Sequence, residues 1–185
     1  MINAILVPGR PDKDQHYDQN IPSNSENYWF SWLKRQLIIH DIKADAIEPP
    51  MPFRPRYDEW KKEFERFDIN ADTILVGHSC GGGFLIRWLS ENDVSVGKVL
   101  LVAPWINPDN NPESDTADFF TFTIDPDFPK RTAGVQIFIS EDDGAEVVTT
   151  VEILKDSVPD IRIHEFEHRG HFIEKTFPEI LEEIV

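Results

Sequence analysis

The chain has 185 residues, a length that is enough for one globular domain with its own core. Of these residues, 40% are hydrophobic and 28% are charged, which are ordinary values for a globular protein. Its formal net charge of −16 argues against nucleic acid and anionic membranes as partners, because both repel an acidic surface. The single cysteine leaves no pair for an internal disulfide and is typical of a reducing compartment, so we expect a cytoplasmic protein.

Six short runs rich in Val, Ile and Leu predict β-strands. The first, Ile2–Val7, lacks the basic start and the cleavage site of a signal peptide and so predicts a buried strand. The other five runs are Ile42–Ile47, Thr73–Val76, Lys98–Val102, Val135–Ile139 and Ile161–Phe166. Most of these runs are continuously apolar, which is typical of strands that are covered on both faces.

Helical patterns lie between the predicted strands. Ser23 and Glu26 have capping-box spacing ahead of apolar positions that recur at helical intervals up to Leu37. Aromatic residues share one face over residues 57–67, and shorter patterns cover residues 82–89, 147–154 and 177–185. Strands that alternate with helices predict one α/β domain with a parallel sheet and right-handed crossovers.

Residues 104–131 interrupt this alternation. The segment is rich in Pro and Asp and also contains Phe119, Phe120, Phe122 and Phe128. A connection of this length inside one domain is usually functional or disordered. Two interpretations stay open: an irregular crossover whose phenylalanines belong to the core, or a cap-like insertion that borders a site at the strand ends. Core packing is preferred, because nothing in the segment is chemically specific.

The stretch TILVGHSCGGG, residues 73–83, leads from a predicted strand into glycines that surround Ser79. Gly-x-Ser-x-Gly between a strand and a helix is typical of the nucleophile elbow, a strained turn whose small neighbours let strand and helix approach closely. We expect the Ser79 hydroxyl to project above the sheet edge. The backbone N–H of Cys80 would point from the helix N-terminus toward the reacting centre, where it can stabilise an oxyanion.

Other glycine-rich turns fit these residues less well. A phosphate-binding loop requires a Lys followed by Ser or Thr where Phe84 and Leu85 stand. A dinucleotide-binding fingerprint requires a glycine where Ser79 stands. The Cys80 side chain lies one residue beyond the elbow position, which predicts a packed thiol rather than a nucleophile.

A serine hydroxyl needs a base to take its proton, and the chain has six histidines. Four of them are disfavoured by their positions before the elbow, next to the serine or inside a predicted strand: His16, His40, His78 and His164. The other two, His168 and His171, follow the last predicted strand. Gly170 favours a tight turn that presents the ring of His171, which is therefore the preferred base.

The base needs an orienting carboxylate, and two aspartates follow the fifth predicted strand. Asp142 and Asp143 lie between Ser79 and His171 in the chain, which is the Ser, Asp, His order of α/β-hydrolases. From their position alone, either aspartate could be the acid, and the other would cap a helix or face solvent.

These segments resemble the small serine hydrolases of the α/β-hydrolase superfamily that are related to retinoblastoma-binding protein 9. The resemblance covers essentially the whole chain and rests on AILVPG, VGHSCGG, VLLVAP, FFTFTIDPDF, IFISEDDGAEV and HRGHF. It implies one α/β-hydrolase domain over residues 1–185, with a mostly parallel six-stranded sheet in the order 2-1-3-4-5-6 and helices on both faces. The chain departs from the family after the acid, where Glu146 and Val147 replace an apolar residue and Pro.

Residue by residue, the resemblance implies that Ser79 is the nucleophile, His171 the base and Asp143 the acid. It also implies that the backbone N–H groups of Cys80 and Arg10 form the oxyanion hole. The resulting hypothesis is a serine hydrolase that cleaves a carboxylic ester, or a related acyl bond, of a small molecule through an acyl-enzyme. No cofactor and no metal ion are expected, and no protein partner is indicated.

The alternative hypothesis is a protein-interaction module that keeps this fold with marginal or no catalysis. Fold alone does not decide between the two, because one fold hosts many functions. The intact elbow, accompanied by an aspartate and a histidine in the order of the superfamily, favours the enzyme.

Overall fold

A six-stranded sheet forms the centre of the protein in a computed structural model, which describes residues 2–109, 116 and 118–185. The strands are β1 Asn3–Val7, β2 Lys43–Ala46, β3 Ile74–His78, β4 Val99–Val102, β5 Val135–Ser140 and β6 Ile161–Phe166. Every neighbouring pair is parallel, and the order β2-β1-β3-β4-β5-β6 confirms the prediction.

The described residues form six α-helices, which connect and cover these strands. They are α1 Lys13–Tyr17, α2 Phe30–Ile39, α3 Tyr57–Phe64, α4 Cys80–Glu91, α5 Ala145–Ser157 and α6 Pro178–Ile184. The helical patterns predicted all but α1, which buries none of its residues and therefore has no apolar periodicity to reveal it. Among the described residues, no helix has the length and apolar character needed to cross a membrane.

The predicted capping box before α2 is wrong. Ser23 precedes a short 3₁₀ turn, Asn24–Glu26, and its side chain makes no capping hydrogen bond. The Glu26 carboxylate instead accepts hydrogen bonds from Ser31 and Lys34. Tyr28 then has a φ of 51°, which interrupts any helix, so α2 begins only at Phe30.

The core lies on both faces of the sheet. All residues of β3 and β4 are buried, and because successive side chains of a strand point to opposite faces, both faces are covered. Trp60 of α3 contacts Phe84 of α4, with ring centroids 5.9 Å apart. Trp29, next to α2, contacts Phe177, next to α6, at 5.7 Å.

The described part of segment 104–131 packs into this core. Phe119 is 1% exposed, and its ring centroid lies 5.0 Å from that of Trp60. Phe120 is also buried and lies 5.1 Å from Trp105. These two contacts agree with the core-packing interpretation. The cap-like role stays a prediction, and residues 110–115 and 117 of the segment lie outside the described residues.

Candidate active site

Ser79 occupies the turn between β3 and α4. Its φ of 54° and ψ of −122° lie outside the common regions for a residue with a side chain, so the turn is strained. Backbone hydrogen bonds hold it: the Ser79 N–H donates to Val102 O at 2.8 Å, and Ser79 O accepts from Trp105 N at 3.1 Å. The side chain is half-buried, and within the described part of the chain its hydroxyl makes no hydrogen bond.

Glycines allow α4 to lie against the ends of two strands. A Cβ on Gly81 would lie 2.1 Å from Val7 O and 2.5 Å from Pro8 O, which is far too close. A Cβ on Gly77 would lie 2.7 Å from Gly82 Cα. The prediction that these glycines are steric requirements of the turn is confirmed. The close approach also brings the loop after β1 next to the serine.

Two backbone N–H groups flank Ser79. Cys80 is the first residue of α4, so its N–H is one of the unpaired donors at the positive end of the helix. Arg10 lies in the loop after β1, and a Cβ on the preceding Gly9 would lie 3.1 Å from Ser79 Cβ. Neither N–H has a hydrogen-bond acceptor among the described residues, so both are available to a developing oxyanion.

The loops after β5 and β6 bring Asp143 and His171 together. His171 Nδ1 lies 2.9 Å from Asp143 Oδ1 and 3.1 Å from Oδ2. The Asp143 side chain is 3% exposed, and its Oδ1 also accepts the Gly144 N–H at 2.6 Å. The His171 side chain is 37% exposed, so the buried carboxylate fixes one ring nitrogen and leaves the other edge open. This arrangement favours the neutral tautomer that carries its proton on Nδ1.

Ser79 and His171 line the same pocket, a cavity of about 60 Å³ that also borders Gly9, Arg10 and Asn24. No hydrogen bond joins the Ser79 hydroxyl to the His171 ring in the described structure. Such bonds are often absent from ligand-free hydrolases and form when substrate binds. Phe119 and Phe120 do not line this cavity, in agreement with their place in the core.

Asp142 has a different role from its neighbour. Its Oδ1 accepts hydrogen bonds from Ser140 Oγ at 2.5 Å and from the Gly170 N–H at 2.9 Å. These two bonds, the Ser140 bond first, hold the pKa of the Asp142 carboxyl below its usual value. Ser140 is fully buried and also accepts the Arg169 N–H at 2.9 Å. Asp142 and Ser140 therefore fix the backbone that leads into His171.

His78 fixes the same loop from the opposite side. It is buried, its Nε2 lies 2.8 Å from His171 O, and the two ring centroids are 4.9 Å apart. Burial, and then the neighbouring His171, lowers the pKa of His78 to about 3. His78 is therefore neutral at ordinary pH, with a ring N–H available to donate to the carbonyl. The position of His78 next to Ser79 disfavours it as a base, and no pattern in the sequence indicates its contact with His171, 93 residues away.

The remaining reactive side chains lie away from the serine hydroxyl or are inert. The Cys80 thiol is buried, and burial raises its pKa to about 12, so it packs rather than reacts. His164 stacks on Phe138 with ring centroids 4.5 Å apart, whereas His16, His40 and His168 are exposed. Within the described ranges, no group of His, Cys, Asp and Glu is arranged to hold a metal ion.

Comparisons with known proteins show the family and the fold to which the chain is similar. Residues 21–180 match the family described as Serine hydrolase. The YdeN protein of Bacillus subtilis strain 168 is 27% identical over 159 residues, which cover 82% of each chain. The crystal structure of the B. subtilis ydeN gene product has a TM-score of 0.82 at 22% identity, over 100% of this chain and 98% of that one.

Two further solved structures are similar in fold. Est1E from Butyrivibrio proteoclasticus, solved with ferulic acid bound, has a TM-score of 0.69 at 13% identity, over 100% of this chain and 86% of that one. The carboxylesterase CesB of B. subtilis has a TM-score of 0.58 at 12% identity, over 98% and 81%. The fold is thus that of the α/β-hydrolases. Because the family match extends from residue 21 to residue 180, the chain belongs to the serine hydrolase family.

Proposed function

We propose that the protein hydrolyses carboxylic esters of small molecules through an acyl-enzyme on Ser79. The observation that carries this proposal is the contact of 2.9 Å between His171 and the buried Asp143, together with the pocket that Ser79 and His171 both line. The three side chains come from separate loops: Ser79 and His171 face one cavity, and Asp143 lies behind the His171 ring, which is the order of nucleophile, base and orienting acid that activates a serine.

The first half of the reaction forms the acyl-enzyme. His171 Nε2 takes the Ser79 proton while Oγ attacks the ester carbonyl carbon, and Asp143 stabilises the imidazolium through Nδ1. The carbonyl oxygen becomes an oxyanion that accepts the N–H groups of Cys80 and Arg10. The tetrahedral intermediate then collapses: the bond to the leaving oxygen breaks, and the imidazolium protonates the alcohol.

The second half releases the acyl group. Water enters the place of the alcohol and gives a proton to His171 as its oxygen attacks the acyl carbon. The same two N–H groups hold the second oxyanion. Cleavage of the bond to Ser79 Oγ then returns the proton to the serine and frees the carboxylic acid. The cycle needs no cofactor.

The pocket and the similar structures support an ester as substrate. A cavity of about 60 Å³ fits a short acyl group better than a long chain. Est1E holds ferulic acid and CesB is a carboxylesterase, which agrees with the same reaction type here. The resemblance to the retinoblastoma-binding protein 9 relatives is part of this proposal, as is a cytoplasmic site of action, which suits a free cysteine.

A fluorophosphonate probe and p-nitrophenyl esters of graded acyl length test the proposal. We expect the folded protein to be labelled and to hydrolyse p-nitrophenyl acetate faster than longer esters. Ser79→Ala should lose both activities, whereas Ser95→Ala, an exposed serine away from the pocket, should keep them. Absence of labelling in a folded wild-type sample would reject the enzyme and favour the interaction module.

A further inference from the structure

The side chain of Asn24 contacts the peptide unit that carries the Arg10 N–H. Asn24 begins the 3₁₀ turn before α2, and its Nδ2 donates to Gly9 O at 2.5 Å. The side chain is half-buried and lines the same pocket as Ser79. The contact joins residues 15 positions apart in two different loops.

This contact sets the direction of the Arg10 N–H. Gly9 C=O and Arg10 N–H belong to one trans peptide, in which the two groups point in opposite directions. A carbonyl held by Asn24 therefore turns the N–H away from Asn24. Since the peptide lies beside Ser79 and the N–H has no acceptor among the described residues, the donor stays available at the reacting centre.

Without this contact, the peptide would be free to rotate. Glycine tolerates almost any ψ, so the Gly9–Arg10 plane can turn over at little steric cost. Pro11 disfavours the helical region for Arg10 but leaves its φ a wide range, so it does not lock the preceding plane. A turned peptide would present the Gly9 carbonyl oxygen, instead of an N–H, to a developing negative charge.

We infer that Asn24 is a positioning residue of the oxyanion hole, which holds the Gly9–Arg10 peptide in its donating orientation. The inference rests on the proposed function. The stabilisation that the Arg10 N–H would give acts mainly in the transition state, because a ground-state ester has little charge on its carbonyl oxygen. Loss of Asn24 should therefore lower kcat and leave KM nearly unchanged.

The experiment compares Asn24→Ala and the isosteric Asn24→Asp with wild type and with Asn20→Ala. Asn20 is an exposed asparagine of the same loop, and among the described residues its side chain bonds to Asp18 alone. Loss of one oxyanion donor costs about 10²–10³ in kcat, so we expect Asn24→Ala to lose about 10- to 100-fold. Asn24→Asp should lose at least as much, because a carboxylate cannot donate and repels the Gly9 carbonyl.

Phenylboronic acid supplies a second readout. The Ser79 oxygen adds to boron and its proton passes to His171, which leaves an anionic tetrahedral boronate with an oxygen in the oxyanion hole. Its affinity should fall by the same factor as kcat in both Asn24 variants. The pH dependence of kcat/KM should not change in Asn24→Ala, because the histidine and its acid are untouched and no charge is added to the pocket.

The outcomes distinguish a failure of the proposed function from a failure of the inference about Asn24. A wild-type protein that neither labels nor hydrolyses esters rejects the proposed function together with the inference. An active wild type whose Asn24 variants keep kcat and boronate affinity within twofold rejects the inference alone. So does an equal loss in Asn20→Ala, or a loss of fold in both Asn24 variants, since either would assign the residue to the stability of the loop.

Discussion

Asp142 and Asp143 are adjacent in the chain but contact different groups. The Asp143 carboxylate is buried against the His171 ring, whereas Asp142 is exposed and binds the Gly170 N–H. We expect Asp143→Asn to lower kcat by about 10⁴, because an asparagine favours the wrong tautomer of the base. Asp142→Asn should keep most of the activity.

Steady-state kinetics on p-nitrophenyl acetate, with circular dichroism as the check on folding, measure this difference. A loss confined to Asp142→Asn would contradict the assignment of the acid. Comparable large losses in both variants would mean that the two carboxylates act jointly.

His78 makes the stability of the protein depend on pH. Its pKa is about 3 in the folded protein against about 6.5 in an unfolded chain, so below pH 6.5 the unfolded state binds a proton that the folded state does not. The contribution of this neutral ring to the free energy of unfolding is therefore fully present above pH 6.5 and is lost as the pH falls from 6.5 toward 3. The loss amounts to about 1.4 kcal/mol for each pH unit.

Urea unfolding of wild type and His78→Phe at pH 7.5, 6.5 and 5.5 measures this effect. We expect the wild-type free energy of unfolding to fall more steeply between pH 6.5 and 5.5 than that of the variant. The lowered pKa of His164 is common to both proteins and cancels in the difference. Equal slopes would contradict a buried neutral His78.

Four side chains bind the backbone of the loop after β6. Arg169 N–H donates to Ser140 Oγ, and Gly170 N–H donates to Asp142. The carbonyls of the next two residues accept from His78 Nε2 and from Trp29 Nε1, at 2.8 and 2.9 Å. The orientation of the proposed base thus depends on side chains from three other parts of the chain.

Ser140→Ala tests this dependence. It removes the donor to Asp142 and leaves the Arg169 N–H without its acceptor, which should cost about 1–3 kcal/mol of unfolding free energy. A displaced base should also lower kcat by up to about 10²-fold. Ser157→Ala, at the exposed end of α5, is the control for a serine without such contacts. An unchanged free energy of unfolding and an unchanged kcat would show that the loop after β6 keeps its conformation without Ser140.

Sequence patterns predicted the helices and strands well where apolar residues recur at regular intervals. They predicted poorly where polar contacts or unusual backbone angles determine the structure. Short runs rich in apolar residues located all six strands, most of them continuous, and strand–helix alternation predicted their parallel pairing. The start of α2 was wrong, because the left-handed Tyr28 leaves no trace in an apolar pattern. The same limit applies to His78 and Asn24, whose acceptors are backbone carbonyls in distant loops.

The described part of the long segment after β4 contributes to the common core. Phe119 contacts Trp60, Phe84 and Tyr57 on α3 and α4, so its ring closes the core over that face of the sheet. We expect Phe119→Ala to cost about 3–5 kcal/mol of unfolding free energy. The ratio of kcat/KM between p-nitrophenyl acetate and octanoate should stay unchanged.

Phe122→Ala is the matched control, because that phenylalanine is only partly buried and should cost less. Denaturant unfolding and the ratio of kcat/KM between the two esters, measured on both variants, show whether Phe119 belongs to the core or to the pocket. A changed ester preference with little loss of stability would assign Phe119 to the substrate pocket instead of the core.

The contact of Gly81 with the carbonyls of Val7 and Pro8 has a consequence for redesign. The spacing between α4 and the loop after β1 is set by main chain against main chain, and the role inferred for Asn24 is to orient the Gly9–Arg10 peptide within that spacing. In the proposed esterase, residues such as Gln15, Tyr28 and Ile173, which line the cavity, can therefore be exchanged to accept other esters while the spacing between Ser79 and the proposed oxyanion donors is retained. A methyl group at position 81 would push these two parts of the proposed site apart and should reduce turnover of every ester alike.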